Sequence, residues 1–291
     1  MKFHHIRLVY LVPALVLMSA CSTHFLGARF TDFSDSTALL GKNVDYVIEQ
    51  SRAEELNVRR AEALGKETVS PIDFQPGVLT VERVETRKEL TRYITMYAEL
   101  LTSLVESGDR GEFQRQALKI YANIRNINTN HSGFLKSEEQ GILSACAAAI
   151  PEAMTAAKRR HMLLRLMSQN QPRLEKITTL LTEELQQLQI LLNNFYRRQF
   201  RLLVGNHWTG PETRREMLAK RAQEMTARRE RLDVIFTDLI RALDYIPRTH
   251  KQLLAAVRSH GNPVQATADL LDFAARIESN FKEFSQGEGY R

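Results

Sequence analysis

The chain has few of the residues that make turns. Its 291 residues include only 13 Gly and 8 Pro, a combined share well below the roughly 12% of an average protein. Because Gly and Pro occupy most tight turns, the chain has few turns for its length. The shortage argues against sandwiches, barrels and propellers of many strands, and it excludes collagen-like and Gly/Pro-rich disordered chains.

Cysteine is also scarce, with two in the whole chain. Cys21 has a separate expected use, described below, which leaves Cys146 without a partner for an intramolecular disulfide. Cys146 lies in Leu143–Ile150, a run of small and apolar residues. We expect a small buried side chain there rather than a nucleophile, and a fold held by packing alone.

Motifs for catalysis and for cofactors are missing. The sequence has no P-loop, no Gly-x-Gly-x-x-Gly, no Gly-x-Ser-x-Gly, no His-Glu-x-x-His and no Glu-x-x-His, the signatures of nucleotide, dinucleotide, hydrolase, zinc and di-iron sites. We therefore expect no catalytic residue, no metal, no cofactor and no small-molecule substrate. An envelope enzyme whose site only the fold assembles stays open as an alternative.

The first twenty residues have the pattern of a bacterial secretion signal. Lys2 and Arg7 precede an apolar run over residues 8–18, which is shorter than the about 20 residues of a membrane-spanning helix. The run ends in Leu17-Met18-Ser19-Ala20-Cys21. This ending resembles the lipobox of bacterial lipoproteins, with Met18 where Leu is most common. The alternative is an ordinary signal peptide with a chance cysteine.

The lipobox resemblance implies cleavage after Ala20 and lipid on Cys21, as a diacylglyceryl thioether and an N-linked acyl chain such as palmitate. Several acyl chains anchor a protein stably, where one chain is marginal. Ser22 follows, rather than the Asp that is linked to inner-membrane retention. The resemblance therefore favours the outer membrane, with the protein facing the periplasm, where nucleic acid is not the expected partner.

The rest of the sequence has apolar residues at helical spacing almost throughout. No stretch shows the alternation with a period of two that a half-buried strand needs. The expected fold class is all-α, an elongated helical bundle. The candidate helices cover residues 36–66, 80–107, 109–128, 137–169 (interrupted at Pro151), 171–204, 211–246, 249–260 and 263–284.

Five segments are expected along the chain. They are a cleaved signal peptide over 1–20, a lipidated tether over 21–33, an N-terminal helix and linker over 34–77, a helical bundle over 78–285 and a tail over 286–291.

The bundle contains a long antiparallel hairpin over residues 171–246. Apolar residues step by four and three along both helices, as in the seam of a coiled coil. Glu184 and Arg198 interrupt the first seam. Folding the hairpin at its loop sets Glu184 near Arg229 and Arg231, and we expect this polar pair to fix the register.

Positive charge is concentrated on the hairpin. The chain has a formal net charge of +6, and residues 197–231 alone hold ten Arg/Lys against four Glu. Arginine beside tryptophan suits anionic headgroups, a glycan phosphate or an acidic protein surface. The simpler alternative is a Trp that closes the end of the core among solvated arginines. The residues of this tip are Trp208, the only Trp, with Arg197, Arg198, Arg201, Arg214 and Arg215.

A second basic run, Lys158-Arg159-Arg160-His161 with Arg165, is interleaved with apolar residues. This spacing is typical of a solvated helix face above a buried stripe.

The sequence thus predicts a lipid-anchored envelope lipoprotein that acts as a non-enzymatic helical scaffold or accessory subunit for an envelope protein partner. The alternative is a membrane-interacting helical protein whose basic and aromatic hairpin tip, or whose basic helix, engages anionic lipid.

Overall fold

The chain folds into helices, as expected. The computed structural model describes residues 4–106, 110–130, 156–205, 212–259 and 264–286. These residues contain a short 3-10 helix, Pro71–Phe74, and no strand. Six α-helices account for most of them: α1 His4–Ala63, α2 Val81–Glu106, α3 Arg110–Asn130, α4 Ala156–Gly205, α5 Glu212–Ser259 and α6 Val264–Gln286. The all-α fold class is confirmed.

Helix α1 lies at the centre of the bundle, where it packs against α2, α4, α5 and α6. Gly27 is buried, and both Phe30 and Phe33 are fully buried. The tether expected over residues 21–33 is therefore too long, because these aromatic side chains bring the helix into the core. The N-terminal helix, expected to lie outside the bundle, is its central element.

Small residues allow α1 to be buried on several faces. The hydroxyl groups of Ser36 and Ser51 donate to the carbonyls of Asp32 and Val47, each at 2.7 Å. These buried polar groups are thus satisfied within their own helix. A Cβ at Gly41 would lie 3.0 Å from side chains of α2, which shows how closely the two helices approach.

Two prolines lie inside helices rather than ending them. Helix α4 continues through Pro172 and α5 through Pro247, so the helix ends expected at residues 169 and 246 are wrong. Proline removes one main-chain donor and disfavours a helix interior. Packing outweighs this local preference here, because residues on both sides of each proline, such as Ile246 and Leu253, are buried.

Helices α4 and α5 pack along each other in opposite directions. Asp233 Oδ1 accepts hydrogen bonds from Gln189 Nε2 at 2.8 Å and from Asn193 Nδ2 at 3.3 Å. Folding the hairpin at the middle of its loop had predicted that Gln189 lies beside residue 226. Gln189 lies beside Asp233 instead, so the register of α4 on α5 differs from the expected one by about two helical turns.

The two polar interruptions of the expected seam pair with other helices. Glu184 lies 2.7 Å from Arg87 of α2, and Arg198 pairs with Glu62 of α1. The expected pairing of Glu184 with Arg229 or Arg231 of α5 is therefore wrong.

The reason is the width of the buried face of α4. Leu181 and Leu188 of the expected seam are buried, and so are Leu185 and Leu192 beside it. A stripe this wide belongs to a helix with several neighbours, and α4 contacts α1 and α2 as well as α5. The coiled-coil geometry of the hairpin stays a prediction.

One carboxylate fixes the segment between α1 and α2. Glu55 is buried, and its oxygens accept the backbone N–H groups of Gly77 and Val78 at 2.8 Å and of Leu79 at 2.7 Å. Burial by itself raises the pKa of Glu55, but these three donors and Arg59 outweigh it and hold the pKa below its ordinary value.

We predict that Glu55→Gln lowers the free energy of unfolding by about 2 kcal/mol. The three backbone N–H groups are now bound by the two carboxylate oxygens of Glu55. In the variant, an NH2 group replaces one of these oxygens, and it cannot accept a hydrogen bond. Urea denaturation at pH 7 measures the change. The matched control is Glu62→Gln at a partly exposed ion pair, with an expected loss of at most about 1 kcal/mol. Equal losses in the two variants would contradict the role of Glu55.

Candidate functional site

A buried polar cluster lies where α2, α4 and α5 meet. His250 is fully buried, with Nε2 2.8 Å from the Tyr97 hydroxyl and Nδ1 2.5 Å from Gln171 Oε1. The amide N–H groups of Gln171 donate to Glu175 Oε1 at 2.8 Å and to Pro247 O at 3.1 Å, so its oxygen faces the imidazole. His250 therefore carries its proton on Nδ1, and Nε2 accepts from Tyr97.

The cluster keeps its members neutral. Burial lowers the pKa of His250 from 6.5 to about 3, and burial raises the pKa of Tyr97 well above its ordinary value. The adjacent Tyr93 hydroxyl donates to Asn170 Oδ1 at 3.0 Å. Both nitrogens of His250 are engaged in core hydrogen bonds, which marks it as a structural residue rather than a proton-transfer group.

A second buried carboxylate, Glu54, joins α1 to the hairpin. Its Oε1 lies 3.0 Å from Arg228 Nε and accepts the Tyr196 hydroxyl at 3.3 Å, while Oε2 accepts Gln199 Nε2 at 2.9 Å. Burial raises the pKa of Tyr196, and the nearby Glu54 carboxylate adds to this effect. The arrangement is an ion pair with its lone pairs satisfied, which ties the outer half of the hairpin to α1.

The described part of the chain offers no metal site, because no three His, Cys, Asp or Glu side chains in it are grouped to hold an ion. Nor does any helix within these described ranges combine the length and hydropathy needed to cross a membrane.

Two grooves, both open to solvent, run along the α4–α5 pair. One has a volume of about 420 Å³ and is lined by hydroxyl, amide and charged side chains around Pro247. The other has a volume of about 400 Å³, and we call it the tip groove. It is lined by Tyr196, Arg197, Phe200, Arg201, Met225, Thr226 and Arg229.

All five arginines expected at the hairpin tip are exposed. The structure brings Arg197 and Arg201 together in the tip groove. Arg198 pairs instead with α1, and Arg214 and Arg215 lie in the first turn of α5.

The remaining expected site residues are not tested by side-chain geometry. Trp208 and Cys146 lie outside the described residues. Ala20 and Cys21 belong to α1, and their side chains lie outside the described part.

Exposed apolar side chains lie at the end of the bundle where α1 ends. Helix α1 ends at Ala63, next to the Glu62–Arg198 pair, and the following segment exposes Leu64 (84%), Ile72 (69%) and Phe74 (44%). The hairpin adds Phe200 and Met217, also exposed. We call this surface the distal end. It comprises Leu64, Ile72, Phe74, Phe200 and Met217 with Arg197 and Arg201.

The sequence did not single out Glu54, Glu55 or His250. Helical spacing marks which face of a helix is apolar, but it does not say which partner a polar residue meets. The neighbours Glu54 and Glu55 illustrate this limit, because one meets the hairpin and the other the 77–79 backbone. The apolar residues Ile72 and Phe74 lie between two prolines in the linker, and this pattern could have indicated an exposed apolar segment.

The fold and its polar clusters define an elongated all-α bundle with one shared apolar core and a few buried hydrogen-bonded groups. Comparison of the chain with protein-family models, with characterised proteins and with solved structures finds no match. The function therefore has to be argued from the geometry.

We predict that His250 makes the protein less stable as the pH falls below 6.5. Its pKa is depressed in the folded state, so the unfolded chain binds the proton first, and stability is complete only above the ordinary pKa. Between pH 6.5 and pH 5 the loss is about 2 kcal/mol. Urea denaturation at a series of pH values measures it.

The control is His250→Gln, which lacks this titration. Asp45 acts in the opposite direction, because burial raises its pKa to about 6 although Lys88 and Arg92 oppose the shift. Asp45 is common to both proteins, so the difference between their pH slopes reports His250 alone. Parallel slopes would refute the assignment.

Proposed function

We propose that the chain is a lipid-anchored envelope protein, a non-enzymatic helical scaffold or accessory subunit that binds a protein partner through its distal end. The observation that carries the proposal is the grouping of exposed arginines and apolar side chains at the end of the bundle opposite Cys21. The lipobox resemblance over Leu17–Cys21 accounts for the anchor. Ser22 favours the outer membrane, with the bundle in the periplasm.

The length of α1 separates the anchor from the distal end. Cys21 lies toward the N-terminal end of this helix, and Glu62 lies in its last turn. The stretch from residue 27 to residue 62 is roughly 50 Å long at 1.5 Å per residue. A partner at the distal end would therefore be bound roughly 50 Å from the anchoring membrane.

The chemistry of the distal end supports a protein partner. Arginine, methionine and aromatic residues are enriched in protein interfaces, and the distal end exposes Phe74, Phe200 and Met217 beside Arg197 and Arg201. The tip groove can accept an apolar side chain, and its arginines favour acidic residues around it. Several exposed apolar side chains at one end of a molecule are typical of a binding surface.

The alternative, in which the tip engages anionic lipid, uses the same arginines with Phe200. The separation of roughly 50 Å means that this lipid would belong to a membrane surface other than the one that holds Cys21. The enzyme alternative has weaker support, because the two described grooves are open and His250 is occupied by core hydrogen bonds.

We predict that Cys21 carries the lipid. Cells grown with labelled palmitate should incorporate label into the wild-type protein and into Cys146→Ser, the control at the only other cysteine. Cys21→Ser should carry no label. Label that persists in Cys21→Ser would contradict the anchor.

We predict that partner binding depends on the distal end. Affinity capture from solubilised membranes should recover a specific partner with wild type, and the yield should fall at least tenfold with Ile72→Ser/Phe74→Ser or with Arg197→Ala/Arg201→Ala. Loss of one interface anchor typically costs over 1 kcal/mol, which is about this factor.

The matched control for the apolar pair is Leu118→Ser/Val234→Ser, two exposed apolar residues on other surfaces. This control should retain the partner. Equal recovery by all variants, with the fold intact by circular dichroism, would exclude the distal end as the binding surface.

A further inference from the structure

The end of the bundle that carries Cys21 has a basic surface of its own. Arg160 at the start of α4 donates to the carbonyls of Val257 at 2.9 Å and of Arg258 at 2.7 Å, in the last turn of α5. Arg258 in turn donates to Ser168 Oγ at 2.9 Å. These bonds satisfy terminal carbonyls of α5 and bring the basic run of α4 against the end of α5.

A contact between two aromatic side chains shows which part of α1 this basic surface lies beside. His250 of α5 lies beside Phe33 of α1, with 6.2 Å between the ring centroids. The two helices run in opposite directions, so Val257, two turns further along α5, is level with roughly residue 26 of α1. The basic residues therefore lie at about the level of residue 26 of α1, five residues beyond Cys21 in the sequence.

We define the proximal collar as Lys158, Arg159, Arg165 and Arg258. Arg159 is half-buried and the other three are exposed. Carboxylates also lie toward the same end. Asp35 of α1 is exposed, and two others accept hydrogen bonds. Asp32 accepts from Arg29 at 2.8 Å and Glu106 accepts from Thr31 at 2.6 Å.

The connection between the lipid and the folded body is short. Only residues 21–26 separate Cys21 from Gly27, the first residue of α1 whose burial the structure describes. Six residues span about 9 Å as helix and about 20 Å when fully extended. An anchor of this length holds the proximal collar at the depth of the headgroup layer.

We infer that the proximal collar rests on the anionic phospholipid headgroups of the membrane that holds Cys21. Charge complementarity selects this occupant, since a group of four or more Lys/Arg beside a membrane anchor attracts anionic lipid. The contact orients α1 so that the distal end points away from the surface. The inference rests on the proposed anchoring at Cys21, but the headgroup contact itself needs no acyl chain.

The test uses the chain that begins at Ser22, which keeps every residue whose burial the structure describes. It is mixed with vesicles of phosphatidylglycerol and phosphatidylcholine, or of phosphatidylcholine alone, and the bound fraction is measured by sedimentation. Wild type should bind only the anionic vesicles, and added salt should release it.

Two variants of equal charge separate the two ends of the bundle. Arg159→Ala/Arg165→Ala/Arg258→Ala removes three charges of the collar and should lower the partition coefficient roughly a hundredfold. Arg197→Ala/Arg201→Ala/Arg215→Ala removes three charges of the hairpin tip and should bind as wild type. Thermal unfolding checks that both variants are folded.

Three results would overturn the inference. They are an absence of wild-type binding to anionic vesicles, an equal loss in both variants, and a loss in the tip variant alone. The last result would instead support the lipid-binding alternative for the hairpin tip. Because lipid on Cys21 is read separately by palmitate labelling, failure of the collar and failure of the anchor are distinguishable.

Discussion

The structure depends on the burial of α1. Four of the other helices that the structure describes pack against it, and its apolar residues Phe30, Leu40, Val47 and Val58 are among those that are almost completely buried. Its small hydroxyl residues bond to their own helix, so these groups are satisfied even where α1 is covered by its neighbours. We expect no disulfide bond within this chain. The shared core around α1 therefore joins the hairpin, α2 and α6 into one body.

Polar joints give this core its specific arrangement. Glu54 ties α1 to the outer half of the hairpin, Glu55 holds the segment before α2, and His250 links α5 to α2 and α4. An apolar core tolerates sliding along a helix, whereas a buried carboxylate or imidazole is satisfied only at one level. The observed register of α4 on α5, two turns from the expected one, is set by such contacts with neighbouring helices.

The same central helix gives the molecule two different ends. The proximal collar lies beside the position of Cys21, and the distal end exposes apolar and arginine side chains roughly 50 Å away. We propose that one end meets the membrane and the other meets a protein. On this proposal the positive charge that the sequence concentrates on the hairpin serves partner binding, and the second basic run serves the contact with lipid.

The helical class, most helix positions and the basic hairpin follow from the sequence alone, because apolar spacing and a shortage of Gly and Pro are local properties of the chain. The lipobox resemblance likewise needs no fold. Only the tertiary structure decided that Pro172 and Pro247 lie within helices, that Phe30 is in the core, and that Glu184 meets Arg87 rather than α5. Each of these depends on which helices are neighbours, and helical periodicity identifies a buried face without identifying what covers it.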